Sequence, residues 1–414
     1  MMSKQNTRLF ILVFLGMLSA FGPFVMDMYL PTLPAMSEYF HTTSSMVQLG
    51  LTTSMVGLAI GQLLFGPLSD KYGRRSPLFV AMFLFLFSTV GCIFSQNIIQ
   101  FVVLRFIQGV AGAGGVVISR SIAADKYVAH ELATMLAVIG AVNGVATVAA
   151  PIAGGILAEA AGWHGIFWFL FILGVLLLGG VVNLKESLPI EKRSKVGWQS
   201  FYRNFAIVLG NRKYVLYILQ YGFTMGVLFV NISSAPFIMQ EHYGLSPMMF
   251  SLCFGINAIA MIISSTAAVK LPSMEYALYV GSNGMVLIAA CLLVCLSLDC
   301  NFWIYEVLIF VLLAMVGMSY TASNALAMDC ERKYSGIASA LLGATGFLFG
   351  GLVPPLVGIG DMMFTAGFLF LAGSVCAYLC TRYAVSYRGF EKNLLYHIAN
   401  VIRLPYVLVN KWRG

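Results

Sequence analysis

Long apolar runs follow one another along the whole chain, and each is separated from the next by a short polar segment. A helix that crosses a bilayer needs roughly 20 apolar residues, and the runs have about this length. The pattern therefore predicts twelve membrane-spanning helices. We expect them at residues 9–36, 44–68, 78–95, 98–124, 132–158, 163–184, 213–239, 247–269, 276–297, 302–327, 334–358 and 363–386.

Composition points to the same class of protein. Hydrophobic residues make up 60% of the 414-residue chain and charged residues 10%, and the mean hydropathy is +0.88. A soluble domain carries about a quarter charged residues. We therefore predict an all-α polytopic membrane protein.

Lys and Arg fall almost entirely into loops on one side of the predicted bundle. They are Lys4, Arg8, Lys71, Arg74, Arg75, Lys126, those of the 185–213 loop, Lys270, Arg332, Lys333 and those of the C-terminal tail. The opposite loops carry acidic residues and His. Because cytoplasmic loops of membrane proteins carry an excess of positive charge, we expect both termini in the cytoplasm. The same rule accounts for the net charge of +8, so no nucleic-acid partner is expected.

A long polar loop divides the spans six and six, which is typical of two structural repeats related by an axis along the membrane normal. The predicted units are an N-terminal half at 1–184, a linker at 185–212, a C-terminal half at 213–386 and a tail at 387–414. In the linker, apolar residues recur at helical spacing from Trp198 onwards, and the tail repeats this pattern. Both segments are predicted to be amphipathic helices on the inner leaflet. A partner-binding role is the alternative for the tail.

Four segments resemble motifs of the major facilitator superfamily, whose twelve helices form two six-helix halves. The turn Gly66-Pro-Leu-Ser-Asp70-Lys-Tyr-Gly73-Arg74-Arg75 is similar to the signature between its second and third spans. Leu104-Arg105-Phe-Ile-Gln108-Gly109 is similar to its R-x-x-Q-G element, and Gly144 through Pro151 to Gly154-Gly155 to its antiporter motif. Met26-Asp27-Met-Tyr29-Leu30-Pro31-Thr-Leu-Pro34 resembles the D-x-Y-L-P-x-x-P motif of the Bcr/CflA branch of drug:proton antiporters.

The resemblance implies a gate at the cytoplasmic face. Asp70 should pair with a helix end of the second half when that face is closed, and Arg74 should meet Asp125 at the end of span four. Such contacts would favour one of two states and break in the other. The alternative is that Arg74 and Arg75 only follow the topology rule and bind anionic lipid. The implied gate residues are Gly66, Asp70, Gly73, Arg74, Arg75 and Asp125.

Two positions depart from the family pattern. Ala150 precedes Pro151 where the antiporter motif usually has Gly. Ser19 lies in the cytoplasmic half of span one, where some drug exporters have an additional acidic residue. With fewer membrane carboxylates, a cationic substrate is a weaker expectation.

Two ionisable residues lie well inside predicted spans, where charges are expensive and mark functional sites. At 1.5 Å per residue, Asp27 lies roughly 14 Å and Arg105 roughly 10 Å from the outer ends of their spans. We predict that Asp27 carries a proton and that Arg105 tunes or relays it. A static ion pair that locks spans one and four is the alternative. Snorkelling to the membrane surface explains Arg120, and Glu306 is predicted to be interfacial.

A substrate cavity is expected between the halves, near the midplane. Its predicted lining is mostly apolar with few polar contacts. The candidates are Met26, Tyr29, Gln108, Asn143, Thr147, Pro151, Gln220, Asn231 and Phe347.

These features predict a proton-coupled antiporter of a bacterial inner membrane that exports a small amphiphilic compound, such as a drug, a secreted metabolite or a siderophore. A proton-coupled uptake symporter of the same fold is the main alternative, and the Asp motif of span one disfavours it. The buried Asp27 with Arg105 argues against a passive channel.

The chain shows no nucleophile and base pair, metal-ligand cluster or phosphate-binding loop, so we expect neither an enzyme nor a metal. No cofactor beyond the proton gradient is expected, and the protein is predicted to act as a monomer. The eight Cys imply no disulfide framework, and Cys300 has no obvious partner.

Overall fold

The fold is built almost entirely from long helices. The computed structural model describes residues 7–127, 129–193, 205, 207–331 and 335–385. The spanning helices are α1 Arg8–Asp27, α2 Ser44–Tyr72, α3 Arg75–Ile93, α4 Ile98–Lys126, a helical element Ala129–Asn183 that comprises α5 and α6, α7 Arg212–Phe237, α8 Pro247–Val269, α9 Met274–Ser297, α10 Phe302–Cys330, α11 Ser335–Leu352 and α12 Met362–Ala384.

Within the described residues, eleven helical segments are long and apolar enough to cross a membrane. One of them holds two spans, because the element Ala129–Asn183 breaks at Gly162, where φ is 62° and ψ is −167°. Glycine reaches this left-handed region without strain because it has no Cβ. We therefore number residues 129–161 as α5 and residues 163–183 as α6. The predicted all-α architecture of twelve spans is confirmed.

Polar side chains fix where many of these helices begin. Thr7, Thr43, Asn97, Ser246 and Asp361 each accept a hydrogen bond from a backbone amide in the first turn of a helix. Such a cap satisfies one of the amides that a helix start leaves without an intrahelical partner. The ends of the spans are thus set by the residues that flank the apolar runs.

The predicted first span at 9–36 lies within the apolar segment Arg8–Tyr39, but its helix α1 is broken inside this segment. Helix α1 ends at Asp27 instead of near residue 36, and the chain continues through a 3-10 turn, Leu30–Thr32, into the short helix Leu33–Tyr39. Pro31 and Pro34 lack the amide hydrogen that a continuing helix needs. Asp27 therefore lies at a helix end inside the protein.

The helices form two six-helix halves that meet at two equivalent crossings. At the first, a Cβ on Gly155 of α5 would lie 2.5 Å from the Ser251 hydroxyl of α8. At the second, a Cβ on Gly351 of α11 would lie 2.9 Å from Val56 of α2. Small residues allow helix backbones to approach this closely within a membrane.

The two ends of the bundle differ in charge. The basic end carries the 73–75 turn between α2 and α3, together with Lys126 and Lys270, whereas the acidic end carries Glu38, Glu159 and Asp299. The assignment of the basic end to the cytoplasm stays a prediction. The predicted tail helix, and the linker helix from Trp198 apart from residues 205 and 207–209, lie outside the described residues.

A disulfide joins Cys295 and Cys300 at the acidic end. Helix α9 ends at Ser297, and Asp299 then adopts a φ of 53°, a left-handed conformation that Asp tolerates better than most residues. The turn brings the two Cα atoms to 5.2 Å. The expectation that Cys300 has no partner is wrong. Cys295 lies near the end of the predicted span 276–297, and the turn after α9 brings Cys300 back beside it.

We expect Gly154→Ala to lower the free energy of unfolding by about 1–3 kcal/mol, the usual cost of overpacking. A Cβ at this position of α5 would overlap the carbonyl oxygen of Met28. Gly144→Ala is the matched control on the same helix, because no described atom lies within 4 Å of a new Cβ there. Denaturant or thermal unfolding of the solubilised protein measures both, and equal effects would contradict the packing.

Candidate functional site

A large cavity lies between the two halves and reaches the basic end. Its volume is about 820 Å³. Helices α1, α2, α4 and α5 form one wall, and α7, α8, α10 and α11 form the other. The lining extends from Asp27 at the inner end to Asp70 and Ala124 at the basic end. The volume and the mostly apolar wall suit a small organic molecule.

Asp27 is the carboxylate at the inner end of this cavity. It lines the wall while only 9% of its surface is exposed. Among the described residues, none forms an ion pair or a hydrogen bond with its carboxylate. A charge inside the membrane without a partner is expensive, so this side chain is the first candidate for a functional group.

Arg105 of α4 binds α1 two residues before Asp27, and no ion pair between Arg105 and Asp27 occurs among the described residues. Its guanidinium is fully buried and donates to the carbonyl oxygen of Val25 from both terminal nitrogens, at 3.2 and 3.3 Å. It also donates to Gln108, and the ring of Tyr29 lies 4.2 Å from its Cζ. The static ion pair considered from the sequence is therefore absent among these contacts.

The Arg105 cluster, which comprises Arg105, Gln108, Thr89 and Tyr29, joins three helices. Gln108 of α4 donates to the hydroxyl of Thr89 on α3 at 2.7 Å. Arg105 itself binds the last turn of α1, where the helix dipole places partial negative charge. The face of Tyr29 offers a further favourable site for the cation. The cluster thus fixes the helix end that carries Asp27.

The predicted lining is only partly correct. Met26, Asn143, Thr147, Asn231 and Phe347 lie on the cavity wall. Tyr29, Gln108, Pro151 and Gln220 do not, which corrects the prediction for these four residues. Tyr29 and Gln108 belong to the Arg105 cluster, and Gln220 donates to Thr224 within α7 at 3.1 Å. The amide of Gln108 thus binds a neighbouring helix and the amide of Gln220 binds its own helix.

Arg120 of α4 is a wall residue that the sequence interpretation missed. Its exposed side chain lines the cavity, where snorkelling would have taken it to the membrane surface. One signal was present in the sequence. Arg120 follows Arg105 by 15 residues, which places the two within about 60° of each other around a helix of 3.6 residues per turn.

Glu306 is not simply interfacial. Its side chain is half-buried between α8 and α10, where it accepts a hydrogen bond from Asn257 at 3.0 Å. Asn257 itself lines the cavity. In the C-terminal half, the carboxylate of Glu306 therefore lies behind Asn257, which separates it from the cavity.

Arg74 holds the predicted gate together at the basic end. It donates to Asp125 at 2.8 and 3.2 Å, and also to Ser69 and Asp70. Burial alone would lower the pKa of Arg74, but the hydrogen bonds and charges of Asp125 and Asp70 outweigh burial and raise the pKa above its ordinary value. Arg74 meets Asp125, as the resemblance implied. Asp70 pairs with Arg74 in its own half and not with a helix end of the second half.

Glu186, directly after α6, holds the other side of the same turn. One carboxylate oxygen accepts from the amides of Arg74, Ser187 and Leu188 at 2.8, 3.0 and 3.1 Å, and the other from the amide of Arg75 at 3.2 Å. Gly73 has a φ of 91°, and a Cβ there would lie 2.5 Å from Glu186. No motif in the sequence indicates Glu186, because its partners at residues 74 and 75 are backbone amides of a distant turn.

Several hydrogen bonds join the two halves near the acidic end. Gln48 donates to the carbonyl of Ser233 at 3.2 Å, and Gln240 to the carbonyl of Pro31 at 3.1 Å. The amide of Met248 donates to Glu159 at 3.2 Å. With the cavity reaching the basic end, these contacts define a state closed at the acidic end and open at the basic end.

Two six-helix halves around one central cavity, open at one end, define a membrane transporter. Residues 9–355 match the Major Facilitator Superfamily, and the chain belongs to this family of transporters. The resemblance drawn from the four motifs is confirmed.

Relatives and a solved structure agree with this assignment. The chain is 37% identical to the MFS-type transporter YdgK of Bacillus subtilis over 86% of this chain and 90% of the relative. It is 27% identical to a bicyclomycin resistance protein homolog of Haemophilus influenzae over 90% of this chain and 95% of the relative. A crystal structure of a D-xylose–proton symporter matches with a TM-score of 0.73 and 16% identity over 92% of this chain and 98% of its own, which shows the shared fold.

We expect Glu186→Ala to destabilise the basic end, because four backbone amides lose their acceptor. The bonds from Arg74 and Leu188 are partly buried, and leaving a buried donor without a partner costs about 1–3 kcal/mol. Hydrogen–deuterium exchange of peptides covering residues 73–75 and 186–188 should therefore accelerate. Glu191→Ala is the matched control, because it removes an exposed carboxylate of the same loop. Unchanged exchange in Glu186→Ala would contradict the assigned role.

Proposed function

We propose that the protein is a secondary active exporter that exchanges a small amphiphilic compound, such as a drug, a secreted metabolite or a siderophore, for protons by alternating access. Its expected location is a bacterial inner membrane with the basic end in the cytoplasm. The observation that carries the proposal is the unpaired carboxylate of Asp27 at the inner end of a cavity that is open at one end only.

Asp27 has the position that proton coupling requires. In the state described, its carboxylate can exchange a proton with the solution at the basic end. After the halves rearrange, the same group would meet the solution at the acidic end. A carboxylate without a fixed counter-ion can gain or lose its charge in response to either side and to a bound substrate. Arg105 serves in this scheme as a positioning residue, because its hydrogen bonds hold the helix end and reach no carboxylate.

The cavity wall supports an amphiphilic substrate. Side chains such as Leu58, Phe229, Phe254 and Phe347 form apolar surface, and a few amides such as Asn143 add polar contacts. The relative named for bicyclomycin resistance supports export as the direction of transport. The solved neighbour, a proton symporter, shares only the fold and leaves the direction to experiment.

The Arg74 cluster, formed by Arg74, Asp70, Asp125 and Ser69, is proposed to act as the gate. In the state that is open at the basic end, the hydrogen bonds of this cluster join residues of the N-terminal half only to one another. When the basic end closes, we expect Asp70 to face a helix end of the C-terminal half, whose positive dipole end attracts a carboxylate. Asp70 would then have a different partner in each of the two states. Its charge would stabilise either state without becoming fully exposed to solvent.

We expect Asp27→Asn to abolish coupling while the protein remains folded, because an amide cannot release a proton. Purified protein is reconstituted into vesicles with a pH gradient, and gradient-driven accumulation of bicyclomycin is measured. Accumulation should fall at least tenfold in Asp27→Asn and persist in part in Asp27→Glu, which retains a carboxyl group.

Two outcomes would overturn the scheme. If Asp27→Asn still accumulates bicyclomycin against its concentration gradient, Asp27 is not the residue that couples transport to protons. Movement of protons and compound in the same direction in the wild type would identify the uptake symporter that was considered as the alternative.

We expect Asp70→Asn to insert normally but to transport several-fold more slowly, because the amide carries no charge to exchange between Arg74 and a facing helix end. Initial rates in the same vesicles measure the effect. Wild-type rates at equal protein amounts would exclude the gating role.

A further inference from the structure

Arg120 carries a positive charge inside the cavity that no described residue neutralises. Its side chain is exposed and lines the wall. No described residue forms an ion pair or a hydrogen bond with its guanidinium. The positive-inside rule is enough to explain an arginine at this end of a helix. The rule does not explain why the side chain faces the cavity.

The other charged wall residues do not compensate Arg120. Asp70 is paired with Arg74, and Asp27 lies at the opposite end of the cavity. Arg105 binds the α1 turn two residues before Asp27, and Arg120 follows it by 15 residues on α4. At 1.5 Å per residue, Arg120 is about 20 Å from the level of Asp27. The two charges therefore lie at different levels of the cavity.

Two tyrosines of the C-terminal half share this level of the cavity. The rings of Tyr221 on α7 and Tyr320 on α10 are 5.3 Å apart and both line the wall. Tyr221 interacts electrostatically with Arg120 from the facing half. Asn324, one turn after Tyr320, adds a further hydrogen-bonding side chain to the wall.

We infer that Arg120, Tyr221 and Tyr320 form a substrate subsite near the basic end that binds an aromatic compound through its carboxylate. A guanidinium binds a carboxylate by two parallel hydrogen bonds. The half-buried ring of Tyr320, supported from behind by the buried Tyr221, offers an apolar face for an aromatic ring beside it. The subsite rests on the proposed function only in taking this cavity as the substrate path. Among the amphiphilic compounds of the proposed function, it singles out aromatic acids as one class that this cavity binds.

The test compares two probes that differ only in charge, 2-naphthoate and 2-naphthamide. Their equilibrium binding to purified protein is measured by calorimetry in nanodiscs of phosphatidylcholine, which presents no anionic headgroup to Arg120. The wild type should bind the carboxylate at least fivefold more tightly than the amide. Arg120→Gln should weaken binding of the carboxylate about tenfold, as expected for a charge-assisted hydrogen bond, and change binding of the amide less than twofold.

Two variants separate charge at this site from charge in general. Arg120→Lys keeps the positive charge but not the paired donors, so it should restore part of the preference for the carboxylate. Lys270→Gln removes the same charge from an exposed loop at the same end and should leave both affinities unchanged. Tyr320→Leu should weaken both probes equally.

The subsite is overturned if wild-type protein binds both probes equally or does not bind 2-naphthoate, or if Arg120→Gln weakens both probes by the same factor. The last result would identify Arg120 as a group that changes the conformational state. No proton gradient is present in the measurement, so a failure of proton coupling at Asp27 would not alter its outcome.

Discussion

A buried guanidinium without a carboxylate partner fixes the interior of the N-terminal half. Arg105 donates from its two terminal nitrogens to the carbonyl of Val25 and the amide oxygen of Gln108, and its positive charge faces the ring of Tyr29. Because α1 ends only two residues after Val25, this contact holds the end of a broken helix in place. If Arg105 were paired with Asp27, the acid would be locked as a carboxylate. The carbonyl contact holds the backbone near Asp27 and leaves its carboxylate without a partner among the described residues.

The cavity carries two groups of opposite charge at different levels along its length. Its inner end carries a lone carboxylate, and the region near the basic end carries a lone guanidinium beside two tyrosine rings. Opposite charges at this distance do not neutralise each other across a water-filled mouth, because water and salt screen charges beyond about 10 Å. The charge proposed to bind a substrate and the charge proposed to exchange a proton can therefore change independently.

The spans, the two halves and the position of Asp27 follow from the sequence, because membrane insertion imposes length, charge asymmetry and polar satisfaction on every helix. The prolines at positions 31 and 34 also mark the break after α1. The side chains on the wall were harder to predict. Gln108, Gln220 and Asn143 carry the same amide group, yet Gln108 binds Thr89 of α3, Gln220 binds Thr224 of its own helix, and Asn143 lines the cavity. Only the packing of the helices decides among these outcomes. Glu186 was missed for a related reason, since its partners are backbone amides of a turn more than 100 residues earlier.

The disulfide between Cys295 and Cys300 has a consequence for the biogenesis of the protein. Disulfides persist in oxidising compartments and are reduced in the cytosol. The bond closes a short loop at the acidic end, whereas the described Cys92, Cys253 and Cys376 lie free along the spans. The oxidation state of this one pair therefore records which end of the bundle has been translocated, and a chain inserted upside down would carry two thiols in its place.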